Sequence, residues 1–202
     1  MHKVLFVNGS VRGDQSASHG LAKHLKQVMT AAGAVSIKEL NLAKMRLPVL
    51  DGELLGAFFG QPETLTLSQK ERLATSDRLI DELFTAETVV ISAGMYNFSV
   101  SAELRTYIDH ICRAGRTFRY TANGPEGLVK GKKAILVLSS GGVYSEGPAA
   151  SMDFFSGYLT TVLGFIGITD VTVVRAEGLA LGEEVAAKAL SAARDSLTKL
   201  AA

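Results

Sequence analysis

The apolar run Thr88-Val89-Val90-Ile91-Ser92-Ala93 stops at Gly94 and gives way to Met95-Tyr96-Asn97-Phe98-Ser99-Val100-Ser101, then to a helical pattern. A short apolar run bounded in this way reads as a buried strand that leads through a loop into a helix. Strands buried on both faces belong to parallel sheets wrapped by helices. The same alternation recurs along the chain. Strands are expected at Val4–Val7, Val35–Leu40, Thr88–Ala93, Lys133–Ser139 and Val171–Ala176. Helices are expected over Ser16–Ala32, Ser68–Thr85, Ser101–Ala114, Ala149–Leu163 and Glu183–Leu200. Leu73, Ile80, Leu83 and Phe84 fall near one face of the second helix. Thr117–Val129, broken by Asn123-Gly124-Pro125, reads as a hairpin-like excursion. Asn41–Leu67 reads as a long irregular segment, and a connection of that length is usually functional or an interface element. The pattern predicts an α/β fold, a doubly wound five-stranded parallel sheet with helices on both faces, in one domain spanning residues 1–202.

Composition narrows the function. The formal net charge is +1, and no face collects a block of Lys and Arg, which argues against nucleic acid as a partner. No stretch is long and apolar enough to span a bilayer. One cysteine, Cys112, excludes an internal disulfide framework and fits a reducing, cytoplasmic setting. Met1–Val7 lacks the length and cleavage pattern of a signal peptide.

Ligands of open α/β sheets bind in the crevice outside the carboxyl ends of the strands. Three expected loops meet there. Asn8–Ser18 carries Ser10, Ser16 and Ser18 and leads into a helix N-terminus, where free N–H groups and the helix dipole favour a phosphate. Ser16 or Ser18 is equally suited to be only the helix N-cap. The loop matches neither a Walker P-loop nor a G-x-G-x-x-G fingerprint. Arg12 reads as a solvated loop arginine. Met95–Phe98 brings two aromatic rings and the Asn97 amide. Ser139-Ser140-Gly141-Gly142 lets the backbone approach a ligand closely. A phosphate cradle beside loops suited to a flat heterocycle implies a mononucleotide, with flavin mononucleotide (FMN) the natural candidate.

Longer motifs make the resemblance specific. Met95–Phe98, Arg113–Tyr120, Asn123–Leu128, Leu163–Ile168 and Pro48–Leu54 resemble the FMN-dependent NADH-azoreductase and NAD(P)H:quinone oxidoreductase family. The likeness covers essentially the whole chain. It implies a flavodoxin-like fold, a homodimer with FMN near the interface, NADH or NADPH as co-substrate, and quinone or azo acceptors reduced in a ping-pong cycle. It places Ser10, Ser16, Ala17 and Ser18 at the phosphate. Met95, Tyr96, Asn97 and Phe98 line the isoalloxazine, and Ser139, Ser140, Gly141 and Gly142 meet its pyrimidine edge. Asn97, Phe118 and Tyr120 line the substrate. Packing within the hairpin is the alternative for Phe118. The chain departs from the family at Gly94, where Pro is frequent, at Ser140, where Arg is common, and in the first loop.

Other residues carry less. Leu104, Ile108 and Cys112 share i, i+4 spacing, so Cys112 faces the core. His2, His19, His24 and His110 lack metal-ligand spacing, and no metal site is expected. Asp77 and Asp81 read as a solvated helix face. No side chain is expected to be catalytic, because the flavin carries the chemistry. The rival reading is a flavodoxin-like electron carrier or flavin-binding protein without turnover of its own. Leu54, Leu55, Phe58 and Phe59 are apolar groups suited to a dimer interface.

Overall fold

A computed structural model describes residues 1–201. Five parallel strands form one sheet: β1 (His2–Asn8), β2 (Val35–Asn41), β3 (Thr88–Gly94), β6 (Lys133–Ser139) and β7 (Asp170–Ala176), in the order β2-β1-β3-β6-β7. An antiparallel pair, β4 (Phe118–Thr121) and β5 (Gly124–Gly127), stands apart as the expected hairpin. The helices are α1 (Ala17–Ala32), α2 (Gly52–Phe59), α3 (Leu67–Thr85), α4 (Ala102–Ile111), α5 (Ser156–Ile166) and α6 (Glu183–Ala201).

The period-two alternation of strand side chains separates two cores. Leu5, Val7, Val89, Ile91, Leu136 and Leu138 face one side, where α3, α4 and α5 contribute Leu79, Leu83, Leu104, Ile108 and Leu159. Val4, Phe6, Val90 and Val137 face the other, under Leu21 and Leu25 of α1 and Leu197 of α6. Strand order reverses at β1, whose neighbours are β2 and β3. Loops after β1 and β3 therefore diverge to opposite faces, which opens a crevice at that point.

Four local expectations are corrected. Asn41–Leu67 is not irregular throughout, because it contains α2. Asp51 caps that helix by accepting from the Leu54 N–H at 2.9 Å, and Leu54 and Ala57 turn inward. Gly52 and Gly56 mask this helix in the sequence. Within α3, Leu79 rather than Phe84 shares the buried face with Ile80 and Leu83. The fourth helix ends at Ile111, short of Ala114, because Thr117 donates to the Ile111 carbonyl and accepts from the Arg113 N–H. The fifth begins at Ser156 rather than Ala149, after Asp153 accepts from the Phe155 and Ser156 N–H groups, and runs on to Ile166.

Glycine at 127 is required by close approach. A Cβ there would lie 2.2 Å from the Gly167 nitrogen. This contact, with the Val129 N–H donating to the Ile166 carbonyl at 2.8 Å, seats the hairpin on the end of α5. Cys112 is half-buried against the core as expected, and burial pushes its thiol up to about 12. No helix among the described residues is long and apolar enough to cross a membrane.

Candidate functional site

Strand register sets the loops side by side. Gly94 is level with Ser139, and Ser139 with Ala176. The loops after β3, β6 and β7 therefore leave the sheet at one height, next to the loop after β1. Between them lies a cavity of about 210 Å³ lined by Ser10, Ser16, Ala17, Met95, Tyr96, Ser139, Ser140 and Gly141, with Arg12, Gly94, Leu179 and Ala180 completing the wall.

The β1 loop brings hydroxyls to the start of α1. Ser16 caps the helix by accepting from the His19 N–H at 3.4 Å. Its Oγ also lies 2.9 Å from the Ser18 Oγ, and both serines are buried. Ser16 thus serves as cap and as cavity wall at once. The first N–H groups of a helix have no carbonyl partner within it, and this end of α1 opens on the cavity through Ala17. Ser10 is buried, accepts from the Arg12 N–H at 3.4 Å, and its Oγ lies 3.1 Å from the Tyr96 hydroxyl. Arg12 is exposed, as expected of a loop arginine, yet it contributes to the lining.

The β3 loop folds on itself. Tyr96 and Ser99 exchange backbone hydrogen bonds at 2.9 and 3.0 Å around Asn97 and Phe98. Both central residues have positive φ, 46° and 69°. Two such residues in a tight two-residue turn match the primed type that joins antiparallel segments. For a bulky residue such as Phe98 this backbone is unusual, and strain of this sort collects at functional sites. Asn97 and Phe98 stand beside the cavity, with Phe98 edge-on to Tyr144 at 6.1 Å between ring centroids.

The β6 loop is laced to the β7 loop. The Gly178, Leu179 and Ala180 N–H groups donate to the carbonyls of Gly142, Ser140 and Gly141 at 2.9–3.1 Å. The Ser140 Oγ donates to the Gly142 carbonyl at 2.8 Å, which closes the turn locally. Glu177 accepts from the Tyr144 and Ser145 N–H groups at 2.9 and 3.0 Å and holds the outer part of the same loop. Leu179 and Ala180 were not anticipated. Their only sequence signal is a position just after a strand end, following Gly178.

Phe118 is buried, with its ring 4.5 Å from that of Phe165 and 5.6 Å from that of Tyr120. Tyr120 is 75% exposed. Neither lines the cavity within one chain, and Phe118 sits in hairpin packing. Asp77 and Asp81 lie on a solvated helix face, as expected, and take part in an ion-pair network there. Asp77 accepts from Arg113 at 2.8 Å and also from Arg116, which reaches Asp81 at 3.0 Å. Arg113 is itself buried, with its guanidinium 4.8 Å from the centre of the Phe58 ring. This cluster fixes α3 to the turn that launches the hairpin.

The donor set fits a phosphate at the start of α1, and the Met95–Tyr96 and Ser139–Gly141 walls fit a flat ring with a polar rim. The chain is 48% identical over 203 residues to the FMN-dependent NADH:quinone oxidoreductase of Escherichia coli O157:H7, covering all of both chains. It is 45% identical over 201 residues to a protein of the same name from Herminiimonas arsenicoxydans, covering 99% of this chain and 98% of that one. Among solved structures, an azoreductase from Bacillus anthracis superposes with a TM-score of 0.93 at 33% identity, covering 100% of this chain and 99% of that one. An FMN-dependent NADH-azoreductase of Bacillus anthracis, solved in complex with FMN, gives 0.90 at 28% identity over all of both chains. Residues 2–201 match the family model described as flavodoxin-like fold, and the chain belongs to that family.

Proposed function

We propose that this chain is a single-domain FMN-dependent oxidoreductase that transfers electrons from NADH to quinones and azo compounds. The observation that carries the reading is the cavity at the strand-order reversal, where a hydroxyl-lined helix N-terminus meets a loop of aromatic residues. The names of relatives 45–48% identical over nearly the whole chain support it and favour NADH over NADPH as donor.

FMN, when bound, accepts hydride from the nicotinamide and returns two electrons to the acceptor. The protein binds and orients it. Ser10, Ser16, Ser18 and the N–H groups opening α1 hold the phosphate. Met95, Tyr96, Asn97 and Phe98 line one side of the ring. Ser139 and Ser140 meet its polar edge, and the N–H groups of Gly141 and Gly142 stabilise negative charge there. In other enzymes, loss of one such preorganised donor costs about 10²-fold in rate or more. No side-chain acid or base is needed for hydride transfer. Donor and acceptor use the same exposed face in turn, a ping-pong order, and cleaving an azo bond to two amines takes two rounds.

The chain works as a homodimer. Phe59 is 73% exposed and Phe154 63%, with Val49 and Leu55 also open, and exposed apolar groups mark contact surfaces. Leu54, by contrast, is spent on the chain's own core. Tyr120, 75% exposed on the hairpin, reaches substrate across that interface in this reading. A reducing cytoplasmic setting fits the single cysteine.

The test is direct. Purified protein loaded with FMN should be yellow, bleach on anaerobic addition of NADH, and recolour with menadione or methyl red, with no other protein present. Failure of saturating FMN to bind or support turnover would refute the reading. Sedimentation of a stable FMN-loaded monomer would refute the dimer.

A further inference from the structure

We propose, resting on the FMN reading above, that Arg12 makes the cavity select a phosphorylated flavin: its guanidinium supplies the charge that holds the phosphate. Among the described residues lining the cavity, Arg12 is the only charged one. Ser10, Ser16 and Ala17 make up the rest of the phosphate end and offer neutral hydroxyls and backbone N–H groups. A phosphate monoester carries a charge of about −1.5 to −2 near neutral pH. A helix N-terminus sets roughly +0.5 against it. Most of the anion's charge is therefore left to Arg12.

The local backbone puts Arg12 in that wall. Its N–H donates to the Ser10 Oγ at 3.4 Å. The Gly13 N–H donates to the Ser10 carbonyl at 3.4 Å, and the Gln15 N–H to the Arg12 carbonyl at 3.2 Å. Gly13 has a φ of 52°, a conformation glycine adopts at no steric cost, so the chain turns directly after Arg12. The Ser16 N–H then donates to the Gly13 carbonyl at 3.1 Å. These tight turns keep Arg12 in one wall with Ser10 and Ser16.

The charge of Arg12 is unspent. Asp14, the one carboxylate between Asn8 and Ser18, pairs with Lys23 at 2.5 Å and lies 3.5 Å from His19, in a separate crevice between α1 and β2. Arg12 itself forms no ion pair among the described residues, because its near neighbour in sequence is already taken. A guanidinium matches phosphate oxygens with paired N–H donors, and such charge-assisted bonds are roughly twice as strong as neutral ones. Exposure works the other way, since solvent and salt screen the pair. Arg12 is exposed, so its contribution is about tenfold in affinity and falls with ionic strength.

The experiment is equilibrium dialysis of the protein against FMN and, separately, against riboflavin, which has the same ring and no phosphate. Bound flavin is read by visible absorbance, so no turnover is needed. The wild type should prefer FMN, and the preference should narrow as NaCl is added. Arg12→Gln should weaken FMN about tenfold and leave riboflavin within about twofold. Arg12→Lys keeps the charge without the paired donors and should fall between the two. Where riboflavin binds too weakly to measure, the salt dependence decides: FMN affinity should fall less steeply with NaCl in Arg12→Gln than in the wild type, and parallel slopes would overturn the proposal. An equal loss of both flavins in Arg12→Gln would assign Arg12 to loop structure alone and overturn it. So would an unchanged FMN affinity, or a lysine variant no better than the glutamine one. Unchanged FMN affinity with a raised KM for NADH would move Arg12 to the phosphates of the donor and overturn it likewise. A wild type that takes up neither flavin would overturn the FMN reading and this inference with it, whereas every other adverse result bears on Arg12 alone.

Discussion

The Ser10 Oγ and the Tyr96 hydroxyl lie 3.1 Å apart, joining the loop after β1 to the loop after β3 across the mouth of the cavity. The residues are 86 apart in sequence, so the bond spans the point where strand order reverses. Tyr96→Phe removes the bond but keeps the ring. The expected loss in FMN affinity is about fivefold, the worth of one net hydrogen bond. Ser10→Ala removes the bond and a phosphate donor together and should cost more, which fluorescence titration of FMN measures. Equal losses for the two variants would count against Ser10 as a phosphate ligand.

Phe98 holds φ at 69° inside a two-residue turn. Phe98→Ala and Phe98→Gly both delete the ring, but only glycine occupies this backbone region without strain. The glycine variant should be the more stable of the two by about 1 kcal/mol in urea unfolding, while both lose turnover with quinone. An alanine variant as stable as the glycine variant would show that the turn relaxes once the ring is gone.

Arg113 is buried, and Asp77 is its carboxylate partner at 2.8 Å. Removing Asp77 leaves the buried guanidinium without its carboxylate, and losing a hydrogen bond to a charged group costs about 2 kcal/mol. Asp77→Ala strands Arg113, whereas Arg113→Met removes the buried charge and leaves Asp77 with Arg116. The aspartate variant should therefore be the less stable by chemical denaturation, and the reverse order would place the cost in lost packing on Phe58.

His110 is buried, and its Nε2 lies 2.8 Å from the Pro48 carbonyl oxygen, with Nδ1 unpartnered among the described residues. Burial outweighs the Pro48 carbonyl and holds its pKa below the usual histidine value. His19 is shifted the same way, again chiefly by burial. A histidine kept neutral by folding takes up its proton more readily once unfolded, so stability is full above the unfolded pKa near 6.5 and declines as pH falls through it. Urea unfolding between pH 7.5 and 5.5 should show that decline, and His110→Gln should flatten it. An unchanged slope in the variant would assign the dependence to His19 or to carboxylates.

Much of this was legible because parallel strands and their helices are written locally. Each apolar run and each amphipathic stretch carries its own period, and the loops at Ser10–Ser18, Met95–Phe98 and Ser139–Gly142 follow from where those runs stop. Helix α2 was hidden because Gly52 and Gly56 dilute the helical pattern, although the Asp51 cap is in plain view. Leu179 and Ala180 were missed because nothing in their own residue types signals a ligand. They line the cavity only because three backbone hydrogen bonds tie their loop to Ser140–Gly142.

The sequence alone determined the number of strands, their burial and the ends at which loops gather, since hydrophobic period and turn chemistry act over a few residues. Only the tertiary structure decided which distant side chains meet. Phe118 turns onto Phe165, Asp77 finds Arg113, and Asn8 comes level with Asn41. Those pairings depend on strand order and helix placement, which no local pattern encodes.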